Sequence, residues 1–86
     1  MMLSASKAAE MAVEHVTAMT GRRAESVVGM ERTEEGWRVT VEVVETHRIP
    51  DSADILAVYD TEVDAEGELV SYRRAGRYSR GRVERN

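Results

Sequence analysis

The chain has no cysteine, no phenylalanine, one tryptophan and a single proline among its 86 residues. Without cysteine, neither a disulfide nor a thiolate metal site can reinforce a small core. The two histidines, His15 and His47, fall in different expected elements and lack ligand spacing, so no metal site is expected. Long apolar runs are missing too. Nothing approaches the ~20 consecutive apolar residues of a membrane span. The opening MMLSASKAAEMAV also lacks a basic start followed by an apolar stretch. These absences predict a soluble intracellular domain with no cofactor and no membrane association. A chain this short removes roughly 60–65% of its unfolded surface from water, enough for one modest core without a deep cleft beside it.

Catalytic signatures are equally scarce. No serine sits in a nucleophile-elbow glycine pattern, and no glycine-rich stretch resembles a phosphate cradle. Asp51 and Asp54 are three residues apart, but an acid–base pair needs a pocket that drives the two pKa values apart. No catalytic residue is assigned, and the chain is read as a non-enzyme.

What the chain does have is charge, unevenly spread. Residues 1–66 carry a net charge of −8, and residues 67–86 carry +4. Lys7 is the only lysine among twelve basic residues; the rest are arginines, which pair bidentately with carboxylates and phosphates. Such segregation permits self-complementary contacts. The acidic upstream region weighs against nucleic acid as a partner, because it would repel a phosphate backbone.

Hydrophobic spacing predicts one helix and four strands. Residues 4–20 read as a helix capped by Ser4 or Ser6 and ended by Gly21, with Ala9, Ala12, Val13, Val16 and Met19 forming an apolar stripe. His15 lies beside that stripe as an edge or solvated residue. A first strand is expected at 26–32, followed by the turn TEEG. The run WRVTVEVVETHR alternates most clearly: Trp37, Val39, Val41 and Val43 face one side, and Arg38, Thr40, Glu42 and Val44 the other. ILAVYDTEVD makes a third strand, with Ile55, Ala57, Tyr59, Thr61 and Val63 on one face. DAEG then reverses the chain into ELVSYRR, a fourth strand that the start of AGRYSRGRVERN extends. The expected fold is α+β, an N-terminal helix packed on one face of a four-stranded antiparallel meander. The other face is expected to be wet or to meet a partner. Residues 1–80 form the domain, and 81–86 a disordered C-terminal tail.

RIPDSADILAVYD, residues 48–60, holds the only proline. Pro50 lacks the N–H of a central ladder and ends the strand, and it pushes Ile49 toward an extended conformation. Asp51 and Ser52 can accept backbone N–H groups, and Arg48 can fold back onto Asp51 or Asp54. The segment reads as a rigid corner.

Residues 37–81 resemble the gas vesicle protein O family. The resemblance rests on an ordered set: Trp37; Glu42 and Glu45; Arg48-Ile49-Pro50-Asp51; Asp54; Ala57 and Tyr59; Asp64 with Gly67 to Leu69; Tyr72 to Arg74; and Arg77-Tyr78. It implies an accessory protein of gas vesicle assembly, associated with vesicles in the cytoplasm and contacting other vesicle proteins. Residues expected to bind partners are Tyr72, Arg73, Arg74, Arg77, Tyr78 and Arg80, with Arg48, Asp51 and Asp54 at the corner, since arginine and tyrosine favour interfaces. Alternatively, Arg74 and Arg77 pair internally with Glu42, Glu45 or Asp60, and Tyr78 caps the core. The arginine–tyrosine interleaving of YRRAGRYSRGR also fits a nucleic-acid-associated regulator of vesicle gene expression. A homodimer through an exposed strand edge is a further expectation.

Overall fold

The computed structural model describes residues 2–50 and 53–80. One helix, α1 (Ala5–Thr20), precedes four strands: β1 (Ala24–Arg32), β2 (Gly36–Thr46), β3 (Ile55–Asp64) and β4 (Leu69–Ser79). The strands form a single sheet in the order β1-β2-β3-β4, and every pairing is antiparallel. This is the expected α+β meander with the helix on one face.

Ser4 caps α1, its side chain accepting the Lys7 amide, and Gly21 closes the helix in the left-handed region at φ 71°. The buried line on α1 is Ala8, Ala12 and Val16, an i, i+4 row. This shifts the expected stripe: Ala9 and Val13 are half-buried, and Met19 is 54% exposed. Alanines at the contact let the helix backbone approach the sheet closely. The row seats on Val39, Val41, Val43, Ala57, Tyr59 and Val63, all buried. Each valine taken out of water contributes roughly 1.5–3 kcal/mol. Trp37 lies at the rim, half-buried, where its Nε1–H donates to the Leu3 carbonyl at 3.1 Å and the Arg32 guanidinium covers its ring at 5.5 Å.

Two glycines are fixed by space. At Gly36 a Cβ would sit inside the van der Waals envelope of the Val63 carbonyl oxygen and 2.7 Å from the Asp64 carbonyl carbon. Gly67, in the β3–β4 turn, has φ 88°, and a Cβ there would lie 3.0 Å from Leu3 and Met11 side-chain atoms. His15 is half-buried, and its Nε2–H donates to the Gly67 carbonyl at 2.8 Å, tying the helix to that turn.

Strand ends differ from the expected ones at β1, which starts at Ala24, and at β2, while β4 extends past Arg74 as expected. β2 stops at Thr46, because His47 and the Arg48 amide turn aside to meet Asp54. β4 runs through Gly76 to Ser79, with register shifts beside Val58/Tyr59 and Glu62/Val63 that accommodate the longer strand. The second face also departs from a uniformly wet surface. Glu42, Val44 and Leu56 are buried there, at 8%, 8% and 3% exposure. Tyr78 stands directly opposite Leu56 and shields that end of the face. Asp51 and the predicted tail 81–86 lie outside the described residues.

Candidate functional site

At one end of the sheet the ionised groups gather into three connected clusters. The first is the proline corner. Asp54 is 1% exposed, and its carboxylate accepts the Arg48 amide at 2.7 Å, His47 Nδ1 at 3.1 Å and an Arg80 guanidinium N–H at 3.0 Å. The Arg80 amide donates in turn to the Asp54 carbonyl at 2.8 Å. The Arg48 amide first, then Arg80 and His47, hold the Asp54 carboxyl below its ordinary pKa against the opposing pull of burial. Thus Arg48 meets Asp54 through its main chain, not through its guanidinium as the sequence led one to expect.

The second cluster is a clasp across the second face. Beyond β4, the Arg80 guanidinium spans from Asp54 to Glu25 on β1, the opposite edge strand, with Nη1 and Nη2 at 3.0 and 3.2 Å from the Glu25 oxygens. Arg80 lowers the Glu25 pKa, while Glu25 and then Asp54 raise that of Arg80. Beside it the Tyr78 hydroxyl donates to the Glu42 carboxylate, and this bond, with burial, pushes the phenol up to about 12.

The third cluster centres on Glu45, whose side chain is 15% exposed. Arg74 reaches its carboxylate at 3.0 Å and Arg77 at 3.4 Å, while Arg22 donates to its carbonyl oxygen. Gly21, Arg22, Arg23, Val44, Glu45 and His47 line an open depression here. The Arg23 carbonyl accepts the Val44 amide at 3.0 Å, which seats the α1–β1 turn against the end of β2.

Further along the second face, the ionised groups form a cross-strand ladder. Arg38 lies between Glu31 at 2.7 Å and Glu62 at 3.0 Å, and these two carboxylates raise its pKa, Glu62 foremost. Arg73 stands opposite Asp60, at 3.8 Å, with its side chain 79% exposed. Tyr72 turns to the helix side and packs on Tyr59, ring centroids 5.9 Å apart.

The nine residues proposed from sequence therefore divide. Asp54 and Arg80 share one cluster with the Arg48 main chain, Arg74 and Arg77 meet at Glu45, and Tyr78 bonds Glu42 on the second face, opposite buried Leu56. Arg73 projects from the edge strand, and Tyr72 is half-buried. Sequence reasoning missed Arg22, Arg23 and Glu25. Their only signal was a paired arginine immediately after the helix-ending glycine. Among the described residues, no group of three histidine, aspartate or glutamate side chains gathers to hold a metal ion. No helix among them is long and apolar enough to cross a membrane.

The fold and these clusters define a small α+β domain whose ionised side chains mainly pair with one another across one sheet. Comparison with known proteins assigns the family: the chain belongs to the gas vesicle synthesis protein GvpO family, which matches residues 1–84. It is similar to gas vesicle protein O of Streptomyces sp. (strain CB03234), 54% identical over 79% of this chain and 53% of that protein. It is also similar to gas vesicle protein O1 of Halobacterium salinarum, 40% identical over 66% of this chain and 48% of that protein. Gas vesicle protein O of Haloferax mediterranei is 43% identical over 55% of this chain and 34% of its own length. The chain thus spans about half the length, or less, of these curated relatives. No solved structure matches it. Membership of this family supports involvement in gas vesicle formation.

Proposed function

We propose that this chain is a non-enzymatic accessory factor of gas vesicle assembly, acting in the cytoplasm by binding other vesicle proteins through β4. The observation that carries this reading is the state of the β4 edge. Among the described residues, β4 has β3 on one side and no strand on the other, so its outer N–H and C=O groups are available for strand addition. Arg73 and Arg77 stand on that strand with side chains 79% and 64% exposed, and Val70 is 52% exposed. Directional donors beside an open ladder suit an extended protein partner. The Asp54 and Glu25 pairs with Arg80 and the Arg38 ladder are paired internally and serve the frame.

Co-purification from vesicle-forming cells tests this. A tagged chain is expected to retain other vesicle proteins, and Arg73→Glu/Arg77→Glu to lose them. The double variant should stay folded, its thermal midpoint lowered by at most about 15 °C, since exposed ion pairs contribute at most about 1 kcal/mol each. Retention of every partner by the double variant would contradict the reading.

A further inference from the structure

The Glu45 cluster has more cations than it needs. Arg74 and Arg77 pair with the one Glu45 carboxylate, Arg22 donates to the Glu45 carbonyl, and Arg23 lines the adjoining depression. The neighbouring acids offset only part of the excess: Glu25 and Asp54 share the single Arg80 cation, which leaves one negative charge between them, and Arg23 also acts on Glu25. The C-terminal dipole of α1, equivalent to roughly half a negative charge, offsets only part of it. The result is a positive pole on a chain whose net charge is −4.

We propose that this pole is a binding site for an acidic segment of a partner protein, one of whose carboxylates takes the place that Glu45 occupies at Arg74 and Arg77. The proposal deepens the reading above, on which it rests, by stating the chemistry of the partner. Glu45 serves as an internal placeholder: it shows that a carboxylate between these arginines is satisfied at 3.0 and 3.4 Å. The depression lined by Arg22, Arg23 and His47 gives a second acidic group somewhere to go.

A peptide fits better than a nucleic acid because Arg74 and Arg77 belong to the open edge strand, where a peptide backbone can continue the ladder. A second copy fits worse, since antiparallel pairing of β4 with itself near Arg74 would set arginines against arginines.

The test is titration of fluorescein-labelled decaglutamate into the folded chain, with decauridylate RNA and phosphatidylserine vesicles as parallel probes. Decaglutamate should bind in low salt and be released as salt rises. Arg22→Ala/Arg23→Ala should weaken it by roughly fivefold, in keeping with two exposed ion pairs. Glu45→Gln should tighten it, because the internal competitor is gone; a merely structural role for Glu45 gives no gain. Thermal melts confirm that each variant is folded.

Unchanged or weaker binding in Glu45→Gln overturns the proposal, as does tighter binding of the RNA or the vesicles through the same arginines. Loss of decaglutamate binding with co-purification intact removes the acidic-segment site alone. Decaglutamate binding without any vesicle protein retained in cells removes the earlier reading alone.

Discussion

Tyr78 donates its phenolic hydrogen to Glu42, a carboxylate that strand alternation places on the outer face and that is nonetheless only 8% exposed. The two residues lie 36 apart in sequence, on β4 and β2, with β3 between them. Their bond holds the tyrosine ring over the end of the sheet where Val44 and Leu56 are buried. Tyr78→Phe should therefore lower stability by about 1.5 kcal/mol, the low end for a hydrogen bond to a charged acceptor, because the tyrosine is 39% exposed. In a domain of this size that is roughly 6–12 °C in thermal midpoint. Adding Glu42→Gln should recover part of the loss, since the carboxylate left without its donor is removed.

The same bond sets an alkaline limit. Folding raises the Tyr78 pKa from its ordinary 10.0 to about 12, with the Glu42 hydrogen bond as the leading cause. Its stabilising contribution is complete below pH 10 and disappears as pH climbs through about 12. Melts between pH 9 and 12 should show a steeper fall for the wild type than for Tyr78→Phe, and parallel curves would refute the linkage.

At the acid end the sign reverses. Asp54 is held below its ordinary 3.8 by the Arg48 amide, and then by Arg80 and His47. Its contribution is present above that value and is lost as pH falls through the depressed folded pKa. The midpoint of the wild type should drop more steeply below pH 4 than that of Asp54→Asn, measured by circular dichroism.

Thr61 is wholly buried between Val39 and Tyr72 on the helix side, and its hydroxyl has no hydrogen-bond partner among the described residues. Thr61→Val keeps the shape and removes a polar group that was dehydrated without compensation. The expected gain is about 1 kcal/mol in urea unfolding at an unchanged slope. A loss would mean that the hydroxyl is satisfied in solution.

Gly36→Ala should cost about 3 kcal/mol, because the added methyl meets the β3 main chain at Val63 and Asp64 and not a flexible side chain. A stability within 1 kcal/mol of wild type, by the same urea titration, would show that β2 and β3 can separate locally at no great cost.

Much of this architecture was legible in the sequence. Val39, Val41 and Val43 alternate with Arg38, Thr40 and Glu42 through a central strand, and a period of two has one reading there. The gas vesicle protein O resemblance rested on β2, the corner, β3, the turn from Asp64 to Leu69 and the arginine–tyrosine stretch of β4, and the order of these three strands survives in the fold. The Glu45 cluster was harder to see. Its position depends on a register shift between Val44 and Thr46, and its cations come from a turn more than twenty residues upstream and a strand about thirty downstream. One-residue bulges leave little mark in composition, yet each one redirects the side chains after it. The burial of Val44 and Leu56 was hidden for a similar reason: local alternation cannot report a tyrosine that arrives from β4.

Arg73 and Arg77 on the open edge of β4 are the heart of the functional reading, so the most direct measurement is made in cells. The resident gene of a vesicle-forming host is replaced by the Arg73→Glu/Arg77→Glu version, and vesicles are counted by electron microscopy alongside the level of the soluble protein. The account predicts few or no vesicles at a normal protein level. A normal complement of vesicles in those cells would contradict it.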